Sequence, residues 1–72
     1  MDTRRGRVRE WHADEGWGVV ETPGSGDPVW VHFSVIDAAG GFRELTPGAE
    51  VEFTAEDVEQ DGYRRRATWV RG

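Results

Sequence analysis

Glycine and proline residues divide this chain into short apolar segments, at the spacing that is typical of an all-β domain. No apolar repeat of helical length interrupts the pattern. The segment over residues 22–28 cannot continue a sheet, because its two prolines lack a backbone donor and its two glycines favour loop geometry. Short strands without a covering helix must close on one another to hide their edges, so the sequence predicts a small barrel.

Five strands are predicted from the order of apolar and polar side chains. They span residues 5–12, 17–21, 29–33, 50–55 and 63–70. Val8 and Trp11 anchor the first strand at an odd spacing, which indicates a β-bulge between them. In the fourth strand Val51 and Phe53 are expected to face inward.

Two segments of the chain are less regular. The last strand allows two registers, and we expect the one in which Thr68 and Val70 face inward. The connection from Ile36 to Leu45 is expected to be long and ordered, with a helical turn at about residues 34–38 that Ser34 caps.

Length and composition limit the class of protein. A chain of 72 residues is expected to form a single domain over residues 1–72. It contains no Cys, so no disulfide or thiolate metal site is available. No apolar run reaches the roughly 18 residues of a membrane span, and the N-terminus carries no secretory signal. We therefore expect a cytoplasmic protein, monomeric, without membrane, metal or cofactor.

Charge is distributed unevenly along the chain. The formal net charge is −5, which by itself argues against a polyanionic partner. The nine basic residues are all Arg, and apart from Arg43 they lie near the two ends of the sequence. If the ends meet in space they would form a basic stripe on an acidic body, although for any single Arg a solvated surface position is an equally good interpretation.

The stretch Val29 to Ser34, VWVHFS, has rings where a strand normally carries polar side chains. If Val29 and Val31 face the core, Trp30 and His32 share the outer face with Trp17 of the neighbouring strand. A patch of exposed rings requires an explanation. Such rings stack unpaired nucleobases at about 1 to 3 kcal/mol each, with little sequence preference, while Arg side chains neutralise nearby phosphates.

Three segments of the sequence resemble the cold-shock domain family in order and spacing: GWGVV from Gly16, VWVHFS from Val29, and GFREL from Gly41. The resemblance extends from about residue 5 to residue 70. It implies a five-stranded antiparallel oligonucleotide-binding (OB-fold) barrel. It also implies a protein that binds single-stranded RNA or DNA, acting as an RNA chaperone or as a transcription antiterminator, and not an enzyme.

The resemblance also implies the binding residues. The positions at which the family stacks bases are Trp17, Trp30, His32, Phe33 and Phe42. Arg9 occupies a position near the phosphates where Lys is usual in the family. Arg43, Arg64 and Arg66 are added as further candidate nucleic-acid contacts.

The chain departs from the family at several of these positions. Glu10 replaces an exposed Trp of the first strand, Val19 replaces a Phe, and Glu15 replaces a basic residue. His12 replaces an Asn, and the Arg run at residues 64–66 replaces a GPQA-like segment. If their effects add, two missing rings cost about 2 to 6 kcal/mol, so we expect a weaker or differently tuned binder.

Other interpretations stay open at this point. Trp17 and Trp30 would also fit as satellite core beneath a loop, with the indole N–H satisfied nearby, and Phe42 would also fit as an anchor for the long connection. His12 and His32 lack the spacing of a metal site, and the carboxylates form no recognisable acid/base pair. The competing function is a protein-interaction module, a cold-shock barrel that has lost much of its nucleic-acid binding; Glu10 and Glu15 favour it.

Overall fold

Five strands and one short helix make up the computed structural model, which describes residues 3–24, 27–37 and 44–72. The strands are β1 (Arg4–His12), β2 (Trp17–Glu21), β3 (Val29–His32), β4 (Glu50–Glu56) and β5 (Arg65–Arg71). A 3₁₀ helix, Phe33–Val35, follows β3 directly. All five predicted strands are present, and β2 has the predicted bounds. No helix among the described residues has the length and apolar character that a membrane crossing requires.

The strands close into a barrel in the order β1-β2-β3-β5-β4. The predicted all-β, five-stranded barrel is confirmed. Four of the pairings are antiparallel, whereas β3 and β5 run parallel. This refines the predicted antiparallel arrangement for a topological reason: a closed ring with an odd number of strands cannot alternate in direction throughout, so one contact must be parallel.

Aliphatic side chains fill the interior of the barrel. The buried cluster contains Val8, Val20, Val29, Val31, Ile36, Leu45, Val51, Phe53, Ala67 and Val70. The predicted inward positions of Val51 and Phe53 are confirmed. The predicted bulge in β1 is also confirmed, because the register with β2 shifts between Val8 and Glu10. This shift allows both Val8 and the half-buried Trp11 to pack toward the interior.

The register of β5 is partly different from the prediction. Val70 faces inward as expected, but Ala67 takes the second interior position, so the inward placement of Thr68 was wrong. A second bulge is the cause: Thr54 of β4 lies opposite Trp69 and Ala55 lies opposite Ala67, which leaves Thr68 unpaired in the ladder. The Thr68 hydroxyl instead lies 2.6 Å from Thr54 Oγ1.

The helical turn begins one residue earlier than predicted and has a different cap. His32 is the N-cap residue, and its Nδ1 accepts a hydrogen bond of 3.2 Å from the backbone N–H of Ser34. Ser34 therefore lies inside the turn and does not cap it. The predicted continuation to residue 38 runs beyond the helix, and residue 38 lies outside the described residues.

Candidate nucleic-acid interface

Five aromatic side chains form a continuous row on the outer surface of β1, β2, β3 and the 3₁₀ helix. Successive ring centroids lie 4.3 Å, 6.5 Å, 5.8 Å and 4.6 Å apart. In order, the members of this ring row are His12, Trp17, Trp30, His32 and Phe33. These separations lie close to the range of favourable aromatic pairs, so the rings support one another in place.

Strand register accounts for the order of the ring row. The turn after β1 is closed by hydrogen bonds from Glu15 N (3.1 Å) and Gly16 N (2.8 Å) to His12 O. It places His12 opposite Trp17, and the pairing of β2 with β3 places Trp17 opposite His32. Gly16 adopts a φ of 78°, and a Cβ at this position would lie 2.9 Å from the Phe33 ring. A glycine is therefore required both by the turn and by the close approach of the last ring.

The prediction that Trp30 faces solvent was wrong, because only 8% of the residue is exposed. It lies at the crossing of the ring row with a second row of paired residues that spans all five strands. The second row, called here the transverse row, runs Glu10, Val19, Trp30, Arg66, Glu56. Trp30 thus has neighbours along both rows, and Val19 beside it is fully buried. Neither belongs to the interior cluster, so Trp30 matches the satellite-core alternative more closely.

The accessible ring surface belongs to the other members of the ring row. Phe33 is 42% exposed, and His12, Trp17 and His32 are half-buried. These four side chains have faces or edges that reach solvent, on either side of the buried Trp30. The row therefore presents stacking surface at both ends, supported by a covered indole in the middle.

Polar partners hold the edges of the rings. The Nε2 atom of His12 lies 2.6 Å from Glu10 Oε2, and Trp17 Nε1 donates to Glu15 Oε2 at 3.0 Å. The Nδ1 atom of His32 lies 2.7 Å from Ser34 Oγ. Glu10 and Glu15 are the acidic replacements that the resemblance singled out, and each binds a ring nitrogen. They therefore orient rings of the row as well as adding negative charge to it.

Two buried nitrogens lack such partners. Within the described part of the chain, the Nε1 atoms of Trp11 and Trp30 are buried without a hydrogen-bond partner. The satellite-core interpretation also placed a partner near the Trp30 indole N–H, and the described residues supply none. A buried donor left without an acceptor costs about 1 to 3 kcal/mol.

The two Arg-rich ends of the chain meet on either side of β4. In the strand register, Arg5 of β1 and Arg71 of β5 both lie opposite Glu52 of β4, so a glutamate separates them. Three Arg of the last segment form ion pairs: Arg65 with Asp57 at 2.9 Å, Arg66 with Glu56 at 2.7 Å, and Arg71 with Glu52 at 3.2 Å. Arginine and carboxylate therefore alternate here, in place of the continuous basic stripe that was considered.

The candidate Arg residues differ in their surroundings. The Arg9 side chain is 53% exposed, at the bulge of β1, with Nε 3.9 Å from Glu10 Oε1. Arg64 is exposed just before β5. Arg66 lies beside Trp30 and lines a groove of about 440 Å³ with Trp30, His32 and Gln60. Phe42 and Arg43, the remaining candidates, lie outside the described residues.

Two positions of the candidate site were missed by the sequence reasoning. His12 was considered as a replacement for Asn and set aside as a metal ligand, but not considered as a stacking ring, although the short connection that follows it implies a position opposite Trp17. The fourth strand was predicted to end at residue 55, whereas β4 extends to Glu56, which binds Arg66. No sequence signal for that pair exists, because the partner of Glu56 depends on the bulge in the β4–β5 pairing.

Comparison with known proteins adds to this geometry. The sequence matches the family model of the 'cold-shock' DNA-binding domain over residues 4–72. The cold shock protein CspC of Bacillus subtilis (strain 168) is 43% identical over 67 residues, covering 93% of this chain and 94% of the relative. The major cold shock protein CspA of Bacillus cereus is 42% identical over 55 residues, covering 76% and 79%. The cold shock protein CapA of Pseudomonas fragi is 39% identical over 57 residues, covering 78% and 88%. With this match over nearly its whole length, the chain belongs to the cold-shock DNA-binding domain family.

Proposed function

We propose that this protein binds single-stranded RNA or DNA by stacking unpaired bases on the ring row, and acts as a cold-shock-like RNA chaperone or transcription regulator. The observation that carries the proposal is the continuity of the row from His12 to Phe33. Base stacking on such a surface tolerates any sequence, because every base offers a π-face. Phe42, Arg43 and Arg64 are included in the proposed interface, and the proposed protein is a cytoplasmic monomer that works without a cofactor.

The proposal includes reduced affinity relative to a chain with the full set of family rings. Trp30 offers little surface, and carboxylates lie at Glu10 and Glu15 beside the row. Each stacking ring contributes about 1 to 3 kcal/mol, so the loss of one ring weakens binding by at least several-fold. We expect binding with some preference for pyrimidine-rich strands.

Intrinsic fluorescence tests the proposal directly. Adding a short oligo(dT) at low salt should lower the tryptophan emission, because a base stacked on Trp17 quenches its indole. A Trp17→Phe variant keeps a ring for stacking but removes this reporter, so it should bind with a much smaller change in signal. Unchanged emission from the wild-type protein, with oligonucleotide well above the micromolar range, would refute the proposal.

A protein-interaction module is the second candidate function. The interleaved Arg and Glu side chains on β1, β4 and β5 favour it, because such a surface complements a partner of mixed charge better than it complements a polyanion. The same titration separates the two: failure to bind oligonucleotide, with the fold intact, would promote the interaction module.

A further inference from the structure

Arg66 is an Arg side chain that the sheet places next to Trp30 of the ring row, and its guanidinium already binds a carboxylate. Its Cα pairs with that of Trp30 on β3 and with that of Glu56 on β4. Two of its nitrogens donate to the same carboxylate oxygen, Glu56 Oε2: Nε at 3.1 Å and Nη2 at 2.7 Å. Both side chains keep contact with solvent, with 37% of Arg66 and 40% of Glu56 exposed.

The contact between Arg66 and Glu56 uses donors that a phosphate would need. A guanidinium binds carboxylate and phosphate oxygens through the same planar set of N–H groups. Arg66 and Glu56 line the groove that also contains Trp30 and His32 of the ring row. A strand whose bases stack on the row therefore runs close to Arg66, but meets a guanidinium that is neutralised and a carboxylate that repels its backbone.

We propose that Glu56 acts as an intramolecular competitor of the nucleic-acid phosphate for Arg66. The inference rests on the proposed function, and adds to it a residue that sets affinity and salt dependence. In the free protein Glu56 holds Arg66; a bound strand must displace the carboxylate before a phosphate reaches the guanidinium. Glu56 therefore lowers the affinity for single strands. It also reduces by one the number of phosphate contacts that set the salt slope. A partly exposed pair of this kind contributes little to stability, so Glu56 can be replaced without unfolding the barrel.

The same strand supplies a matched control. Glu52 also lies on β4 and also binds an Arg of β5, with 3.2 Å between Glu52 Oε1 and Arg71 Nη2. The depression around this pair is lined by Arg5, Glu50, Val51, Glu52, Arg71 and Gly72, and contains no member of the ring row. Replacing Glu52 with Gln therefore changes the net charge as Glu56→Gln does, and frees an Arg away from the rings.

The experiment compares wild type, Glu56→Gln and Glu52→Gln in binding a fluorescently labelled oligo(dT), followed by anisotropy at several salt concentrations. One extra phosphate contact on a single strand adds about 0.7 to the log-log salt slope. Glu56→Gln should therefore bind more tightly at low salt, and between about 50 mM and about 200 mM salt its affinity should fall about 2.6-fold more than that of the wild type. Glu52→Gln should keep the wild-type slope.

Arg66→Gln completes the test. Alone it should leave the salt slope near that of the wild type, because Arg66 is already held by Glu56. Combined with Glu56→Gln it should abolish the increases in affinity and in salt slope that Glu56→Gln produces. Equal slopes for Glu56→Gln and Glu52→Gln, with wild-type binding intact, would overturn the inference and leave the proposed function standing. A salt slope that is shallower for Arg66→Gln alone than for the wild type would also overturn the inference. Absence of binding by both wild type and Glu56→Gln would overturn the proposed function as well.

Discussion

The ring centroids of His12 and Trp17 lie 4.3 Å apart, with 32° between the ring planes, across the turn that joins β1 to β2. Glu10 precedes His12 on the same strand and binds its Nε2 atom. The carboxylate that replaces a family ring at position 10 thus orients another ring two residues further along. The β1 end of the ring row therefore keeps one aromatic surface, that of His12, although Glu10 itself supplies none.

Replacing His12 with Ala should weaken binding to a short oligo(dT). The loss of one stacking ring corresponds to about 1 to 3 kcal/mol, or roughly five- to 150-fold in Kd. His12→Phe keeps a ring at this position and should retain most of the affinity, although it cannot bind Glu10. The measurement is a fluorescence titration of both variants. Equal affinities for His12→Ala and the wild type would place the binding site elsewhere on the row.

Trp30→Ala should destabilise the protein and cannot be interpreted as a simple binding variant. The indole is 8% exposed, and removing a buried Trp side chain costs about 3 to 5 kcal/mol. Phe33→Ala is the matched control, because its ring is 42% exposed and should contribute little to stability while contributing to binding. Urea unfolding followed by circular dichroism provides the free energy of unfolding of each variant.

Trp30→Phe separates the ring from its nitrogen. The substitution retains an aromatic ring between Trp17 and His32 and removes the buried Nε1 that has no partner among the described residues. Trp30→Phe should therefore lower the free energy of unfolding much less than Trp30→Ala does. If Trp30→Ala unfolds at the same urea concentration as the wild type, the indole is not a structural element and the placement of Trp30 is wrong.

Gly18→Ala should also destabilise the barrel. A Cβ at this position would lie 2.5 Å from Trp11 Cε3 and 2.5 Å from the backbone oxygen of Glu10, so the strand or the ring must move. Overpacking of this kind costs about 1 to 3 kcal/mol. Gly72→Ala is the control, because a Cβ there has no neighbour within 4 Å. A free energy of unfolding equal to that of Gly72→Ala would show that Trp11 yields without cost.

The strands and the location of the ring row were predictable, because both depend on local pattern. Alternation in VEF placed Val51 and Phe53 inside, and VWVHFS placed Trp30 and His32 on the outer face. The exposure of Trp30 was not predictable from alternation. An outer-face residue is buried or exposed according to its neighbours on adjacent strands, and one of these, Arg66, is 36 positions away in the sequence.

The last strand shows the same limit. The sequence allowed two registers and the expected one was only half right, because the bulge at Thr68 shifts the pattern of one half of the strand relative to the other. Ala67 and Val70 face inward at a spacing of three, which neither simple alternation allows. The ion pairs of Arg65, Arg66 and Arg71 depend on that shift, so the charge pattern near the candidate interface could not be derived from composition.

The salt dependence of binding should be shallow, because most of the exposed Arg side chains of the described residues, such as Arg4, Arg5 and Arg7, lie along the β1–β4 pairing and not beside the ring row. Arg66 and Arg71 are held by glutamates of β4, and Arg65 by Asp57. Two or three phosphate contacts give a log-log slope of about −1.4 to −2.1 for a single strand. Arg9→Gln should reduce the magnitude of this slope by about 0.7, since its exposed side chain lies beside Glu10 at the β1 end of the row.

Arg71→Gln is the control for Arg9→Gln and removes the same charge. Arg71 is bound to Glu52 and lies 5.7 Å from the Trp69 ring, which is not a member of the ring row. Its replacement should leave the slope unchanged, because a residue that is held away from the strand releases no counterion when the strand binds. A wild-type slope of about −4 or steeper would require six or more phosphate contacts, and would show that Arg side chains beyond those beside the ring row also reach the strand.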